Sequence, residues 1–355
     1  MKPITRTRAI KSVGLAIIVA STVLLAACSS GGTPTPTSSG SKTDADAGSP
    51  SAALIAAAKK EGTVTWYTSV PPGPNAQVAA QFTVKYGIPV VVNRGTTAVL
   101  SPLVNAETSS GKVVGDVVEV GTPGVIETWA DQGVLVPQTK STLGVLPTWP
   151  TKYNYKDTVF LQAIALFGIT YNTDLAKPAP TGWKDLINPK YKGKIIMTDP
   201  RVQIGGLQLI SGLEKAYGDD FLKKLAAQNP TYSGSLLDDP LAAGDDAIGV
   251  NGIRWADTDY INKGAPINDV FPGPAMGSSE QWVAQLKGSP HPNAAALFLN
   301  FLLSKDGQEA TCKGQCTSVV GAPGTIPLPA NYQAAPASFT PAEKTRLLAL
   351  VGLQG

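Results

Sequence analysis

Hydrophobic and polar positions divide the chain into three stretches of different character. A basic start with Lys2, Arg6, Arg8 and Lys11 leads into a mostly apolar run over 13–27. That run is shorter than the roughly 20 apolar residues a spanning helix needs, and its charge pattern is that of a secretory signal. Residues 29–50 then hold only Ser, Thr, Gly, Pro, Ala, Asp and one Lys. Such a segment buries too little apolar surface to offset its ordering entropy, so it reads as a flexible tether. From residue 51 onward apolar runs recur at the spacing of alternating helices and strands.

The pattern predicts a helix over 52–60 ended by Gly62, then a strand over 63–67 in TVTWYTS. A helix over 75–86, a strand over 88–93, a helix over 99–109, a strand over 116–120 and a helix over 123–131 follow. The alternation restarts with a strand over 165–172 and another over 194–199. A helix over 204–217, a strand over 247–252 and a helix over 254–262 complete it. Near-continuous apolar strands alternating with helices predict parallel sheets covered on both faces. No repeat of 20 to 50 residues is visible, which argues against a solenoid. Two α/β units fit, joined near 158–162 and again near 271–274.

Composition changes the picture modestly. The chain has 355 residues, 43% hydrophobic and 15% charged, with a formal charge of +3 that includes the basic leader. Without leader and tether about 300 residues remain, enough for two lobes. No basic run interleaved with aromatics occurs, so nucleic acid is not an expected partner. Besides Cys28 there are two cysteines, Cys312 and Cys316 in CKGQC. Outside the cell they suit a disulfide closing a tight loop over Gly314, with free thiols as the alternative. A metal site lacks partners, because the chain has one His and no second cysteine pair.

The junction of Leu25, Ala26 and Ala27 with Cys28 resembles the lipobox of bacterial lipoproteins. That resemblance implies a signal peptide over 1–27, acylation (palmitate) of Cys28, and a tether over 28–50. The body resembles the substrate-binding lipoproteins of bacterial ABC importers, in the group that includes the iron(III)-binding proteins. The residues that carry this are LIAAAKKEGTVTWYTS (54–69), GDVVEVGTPGVIETWADQGVL (115–135), GITYNTDL (168–175), GWKDLINPKYKGKIIMTDPR (182–201) and GSPHPNAAALFLNFLLSKDGQ (288–308). The resemblance implies an α/β protein of the type II periplasmic-binding-protein fold, two lobes joined by hinge strands around a ligand cleft. Expected lobe boundaries are 51–157 with 275–310, and 158–274 with 311–355. Implied partners are an ABC permease with its ATPase, a small-molecule solute, and the membrane through the lipid on Cys28. The expected state is a monomer at the outer face of the cytoplasmic membrane or in the periplasm.

In open α/β sheets ligands bind beyond the carboxyl ends of the strands, where helix N-termini offer free N–H groups. Those ends place Thr68, Ser69, Thr96, Thr97, Thr122, Arg201, Gln203, Asn251 and Arg254 as candidate ligand-binding residues. Each Thr or Ser taken alone reads first as a helix cap, and it is the convergence of five such turns on one cleft that favours binding. Iron binders of the group commonly use two adjacent tyrosines after the strand matching 247–251; here VNGIRW puts Ile253 and Arg254 there. No two tyrosines are adjacent anywhere, and no His follows the first strand. His291, in SPHPN, reads as a structural turn residue. A guanidinium instead of a phenolate favours an organic or phosphorus-containing anion held by bidentate hydrogen bonds, with Arg94 a weaker candidate. An ion pair with Asp199 or Asp257 competes for Arg201 and Arg254 respectively. No cofactor is expected, and iron(III) enters only as the alternative ligand. A secreted enzyme is the runner-up from another class, but no catalytic constellation is seen: no GxSxG elbow, and His291 lies between prolines. A permease-less sensor lipoprotein is the third reading.

Overall fold

The computed structural model describes residues 48–275, 278–330, 332, 334–336 and 338–354. The expected signal peptide, Cys28 and most of the tether lie outside the described residues. The chain begins with α1 (Ala52–Glu61), β1 (Val64–Thr68), α2 (Pro72–Tyr86), β2 (Val90–Arg94), α3 (Thr97–Ser110), β3 (Val117–Val120) and α4 (Pro123–Asp131). Local chemistry sets these ends. Ser51 Oγ accepts from the Leu54 N–H at 3.1 Å to start α1, and Gly62 at φ 80° closes it. Next come β4 (Asn154–Tyr155), β5 (Val159–Leu166), β6 (Gly168–Asn172), β7 (Ile195–Thr198), α5 (Ile204–Tyr217), α6 (Asp219–Ala226) and β8 (Thr231–Ser233). Then follow α7 (Asp238–Ala243), β9 (Ile248–Gly252), α8 (Arg254–Asn262), β10 (Ile267–Val270) and β11 (Ser278–Gln285). The chain closes with α9 (Pro292–Leu303), α10 (Lys305–Cys312), β12 (Thr317–Ser318) and α11 (Pro341–Leu350).

Two sheets result, one in each lobe. The first has the order β12-β5-β11-β3-β1-β2, with β4 also paired to β5; the second has the order β10-β6-β9-β7-β8. Strands β1, β2 and β3 are mutually parallel, as are β7, β8 and β9. Strand β11 runs antiparallel to both β3 and β5, and β6 runs antiparallel to β9 and β10. The sheets are therefore mixed rather than parallel. A parallel neighbour needs a crossover on the same sheet. Strands β6 and β11 instead arrive from the other lobe, so no such crossover fixes their direction.

The single strand expected over 165–172 is two strands of different sheets, split at Phe167. The chain passes from the first sheet to the second there, and returns after Val270. These two passages touch: a Cβ on Gly168 would lie 2.6 Å from the Val270 carbonyl oxygen and 2.9 Å from the Phe271 ring. Only a residue without a side chain lets them come so close. Strand β12 pairs with β5, so the chain is still in the first lobe at Ser318. Ile326, Leu328 and Tyr332 pack on the first core and Phe339 on the second, so a third passage lies between 332 and 339.

The first core is built around α9, whose residues from Ala294 to Leu303 are all buried. Phe298 meets Trp66 edge-on at 5.2 Å and Phe82 at 4.9 Å. Each buried aromatic of this kind contributes about 2 kcal/mol. The second core gathers Trp183, Leu186, Ile210, Leu222, Ile248 and Leu348. Between them, Trp255 at the start of α8 packs with Val70, Ala163, Ala165 and the sulfur-bonded pair Cys312 and Cys316.

Candidate functional site

A cavity of about 180 Å³ opens where the carboxyl ends of the two sheets face each other. From the first lobe it is lined by Gly121, Thr122, Pro123 and Ser279, and from the second by Gln203, Ile204, Gly205, Gln208, Asn251 and Ile253, with Phe167 from the passage between. Thr122 is the N-cap of α4 and Gln203 that of α5. The first turns of both helices thus border the space; Pro123 has no N–H, and Val125 and Gly206 bond back to the cap carbonyls of Thr122 and Gln203, which leaves Gly124, Ile204 and Gly205 to offer N–H groups. The lining side chains are neutral amides, hydroxyls and apolar groups.

Asn251 stands out within this set. It is the penultimate residue of β9, with φ 85°, a left-handed conformation that Asn tolerates better than most side chains. It is 7% exposed, and its Oδ1 has no hydrogen-bond partner among the described residues. A buried, unpaired amide oxygen costs about 1–3 kcal/mol. Opposite it, Ser69 Oγ donates to Gln281 Oε1 at 2.8 Å and Gln281 Nε2 donates to Ser279 Oγ at 3.1 Å.

The other candidates lie as follows. Thr68 is fully buried; its hydroxyl donates to Glu119 Oε2 at 3.2 Å and accepts from the Val70 N–H. Thr96 is the exposed N-cap of α3 and Thr97 its first residue. Arg94 is exposed at the end of β2. Arg201 grips Asp199 through Nε at 3.0 Å and Nη2 at 2.7 Å, and that grip holds the Asp199 carboxyl below its ordinary range. Arg254 pairs through Nη2 with the buried Asp269, not with Asp257, and its guanidinium lies 5.8 Å from the centre of the Phe271 ring. The cavity lining therefore includes Thr122, Gln203 and Asn251, reaches Ser69 through Gln281, and does not include Thr68, Thr96, Thr97, Arg201 or Arg254. Sequence reasoning passed over Ser279, Gln281 and Gln208. Residues 278–285 read SSEQWVAQ, four polar then three apolar positions with no period-2 alternation, and nothing local places that strand between β3 and β5. His291 lies elsewhere: its Nδ1 is 3.0 Å from Asp116 Oδ2 at the start of α9.

Two buried acid sites flank the region. Glu119 on β3 is fully buried, which pushes its carboxyl up to about 8. Asp257 accepts from Thr170 Oγ1 at 2.8 Å and sits against Asp238; burial raises both carboxyls, so the pair retains a proton at neutral pH. Among the described residues no group of three or more His, Cys, Asp or Glu is placed to hold a metal ion.

The chain is similar to known proteins in sequence and in fold. An uncharacterized protein of Haemophilus influenzae is 31% identical over 177 residues, 46% of this chain and 49% of the relative. A Salmonella typhimurium protein named "Putative 2-aminoethylphosphonate-binding periplasmic protein" is 25% identical over 150 residues, 39% of this chain and 44% of the relative. The chain thus spans about half the length of the curated relatives it matches. Among solved structures, iron-bound HitA from Pseudomonas aeruginosa aligns with a TM-score of 0.58 at 20% identity, over 82% of this chain and 98% of that one. The periplasmic binding protein AfuA from Actinobacillus pleuropneumoniae, with fructose-6-phosphate bound, aligns with a TM-score of 0.57 at 23% identity, over 79% and 90%. Two mixed α/β lobes with a cleft at their strand ends, and these likenesses, give the type II periplasmic-binding-protein fold. The family model described as bacterial extracellular solute-binding protein matches residues 77–340, most of the chain, and the chain belongs to that family.

Proposed function

We propose that this protein is the solute receptor of a bacterial ABC importer, held outside the cytoplasmic membrane by lipid on Cys28. It captures a small organic or phosphorus-containing anion by lobe closure and delivers it, as a monomer, to a membrane permease driven by an ATPase. No bond is made or broken in this role. The observation that carries the reading is the inter-lobe cavity bordered by the first turns of α4 and α5, with the buried Asn251 amide unpaired beside it. Helix N-termini attract anions without a lysine or arginine. The named relatives agree in chemistry, since one carries a phosphonate in its name and another holds a sugar phosphate. Iron(III) remains the second reading because HitA is iron-bound. Neutral amides and hydroxyls suit a trivalent cation poorly, as hard cations prefer anionic oxygens.

The test is to purify the full chain in detergent, unfold it, and identify what it releases by mass spectrometry. The refolded chain is then titrated calorimetrically with phosphate esters, phosphonates, carboxylates, citrate alone and iron(III) citrate. An anion released and rebound without iron is the expected result. Binding that requires iron overturns the anion reading, and a chain that releases and binds nothing overturns the receptor itself.

A further inference from the structure

Granted that receptor role, we propose that Ser279 is a specificity residue, held as a hydrogen-bond donor by a relay of side chains, and that with Asn251 it selects a hydroxylated acid. The relay has a direction. The Ser69 hydroxyl spends its proton on Gln281 Oε1, and the Gln281 amide N–H is spent on Ser279 Oγ. Ser279 already accepts, so its own proton is free to point into the cavity it lines. Gly121 lies against the relay, and a side chain there would press on the Gln281 amide. A Cβ there would sit 3.2 Å from Gln281 Nε2, 3.5 Å from Ser279 Oγ and 3.8 Å from Ser69 Oγ. The relay crosses directly over a residue that has no side chain.

Asn251 supplies the complementary demand. Its Oδ1 is buried and unpartnered, and it borders the same cavity as Ser279. A group that satisfies both residues has to accept from Ser279 and donate to Asn251. A neutral hydroxyl does both at once. An ammonium cannot accept, and it meets the positive first turn of α5 with no carboxylate among the lining residues. The acidic end of the solute belongs at that first turn. The cavity of about 180 Å³ opens to solvent, so its lining sets the polar pattern of the solute, a hydroxyl beside an acid, rather than an upper limit on its size.

The experiment compares glycerol 3-phosphate, n-propyl phosphate and 3-aminopropyl phosphate on the full chain in detergent, refolded free of bound solute. Glycerol 3-phosphate should bind at least about tenfold more tightly than n-propyl phosphate, the effect of one satisfied buried group. That ratio should collapse toward one in Ser279→Ala and in Gly121→Ala, with the melting temperature recorded to show both variants fold. Gln281→Glu should also erase it, since a carboxylate draws the Ser279 proton back to itself. A residue with a purely structural role changes all three affinities together and leaves the ratio intact, so an unchanged ratio in the variants overturns the relay. Equal binding of glycerol 3-phosphate and n-propyl phosphate, or tighter binding of the amine, overturns the hydroxyl assignment. If the solute released on unfolding is an acid without a hydroxyl, this inference falls and the receptor role survives. If nothing is released and no anion binds, the receptor role fails too.

Discussion

Glu119 and Arg254 show how single side chains constrain this molecule. Glu119 is fully buried with one hydrogen bond from Thr68, so the native state favours its protonated form and lifts it from 4.5 to about 8. A carboxyl raised on folding stabilises the native state below its unfolded value, and that contribution fades as pH climbs from 4.5 toward 8. Glu119→Gln keeps an acceptor for Thr68 and removes the titration. It should be more stable than the parent by about 3 kcal/mol at pH 7 and nearly equal to it at pH 4, measured by urea unfolding. Arg254 counters the same effect at Asp269, whose carboxyl burial raises and the guanidinium lowers. Its partner Asp269 has a carboxyl group that is 1% exposed, so Arg254→Ala leaves that charge without compensation. The expected loss is about 3–5 kcal/mol in denaturant unfolding, and Arg254→Met with Asp269→Asn should recover most of it. The presence of an arginine at 254 was legible in VNGIRW. Its partner was not, because Asp269 comes from β10, which pairs with β6 and packs against α8.

At the scale of elements, the helices were the most legible part. Those starting at Ala52, Pro123, Ile204 and Arg254 begin where apolar periodicity and turn residues place them. The strand positions were also visible, but strand partners were not. Phe167 lies within an uninterrupted apolar run over 163–169, and nothing in that run marks where one sheet ends and the next begins. The mark is tertiary: Gly168 faces the returning passage at Val270 and Phe271. Gly168→Ala should therefore cost about 1–3 kcal/mol, because its Cβ meets backbone that cannot rotate away. A thermal melt would show this, and an unchanged midpoint would mean the passages have slack. The same limit hid the candidate site. Ser279 and Gln281 lie more than 200 residues from Ser69, as the spacing of 212 between Ser69 and Gln281 shows. Local pattern carries no information about a pair so distant.

For the whole molecule, the described chain crosses between lobes after Leu166, after Val270, and between 332 and 339. The first two crossings meet at Gly168, while the third is anchored by the Tyr332 hydroxyl, which donates to Glu280 Oε1 at 2.5 Å. Beyond it, α11 is fixed to the second lobe by Arg346 on Glu214 and by the burial of Leu347 and Leu348. Helix α1 belongs to the first lobe, where Glu61 accepts from the Ala294 N–H at 2.7 Å. The two extremities of the folded body are thus riveted to opposite jaws. Any change in the gap between the jaws becomes a change in the distance between Lys59 and Ala349, both on the surface. A dye at each turns the protein into its own caliper, one that reports solute capture optically, from α1 and α11, without touching the cleft.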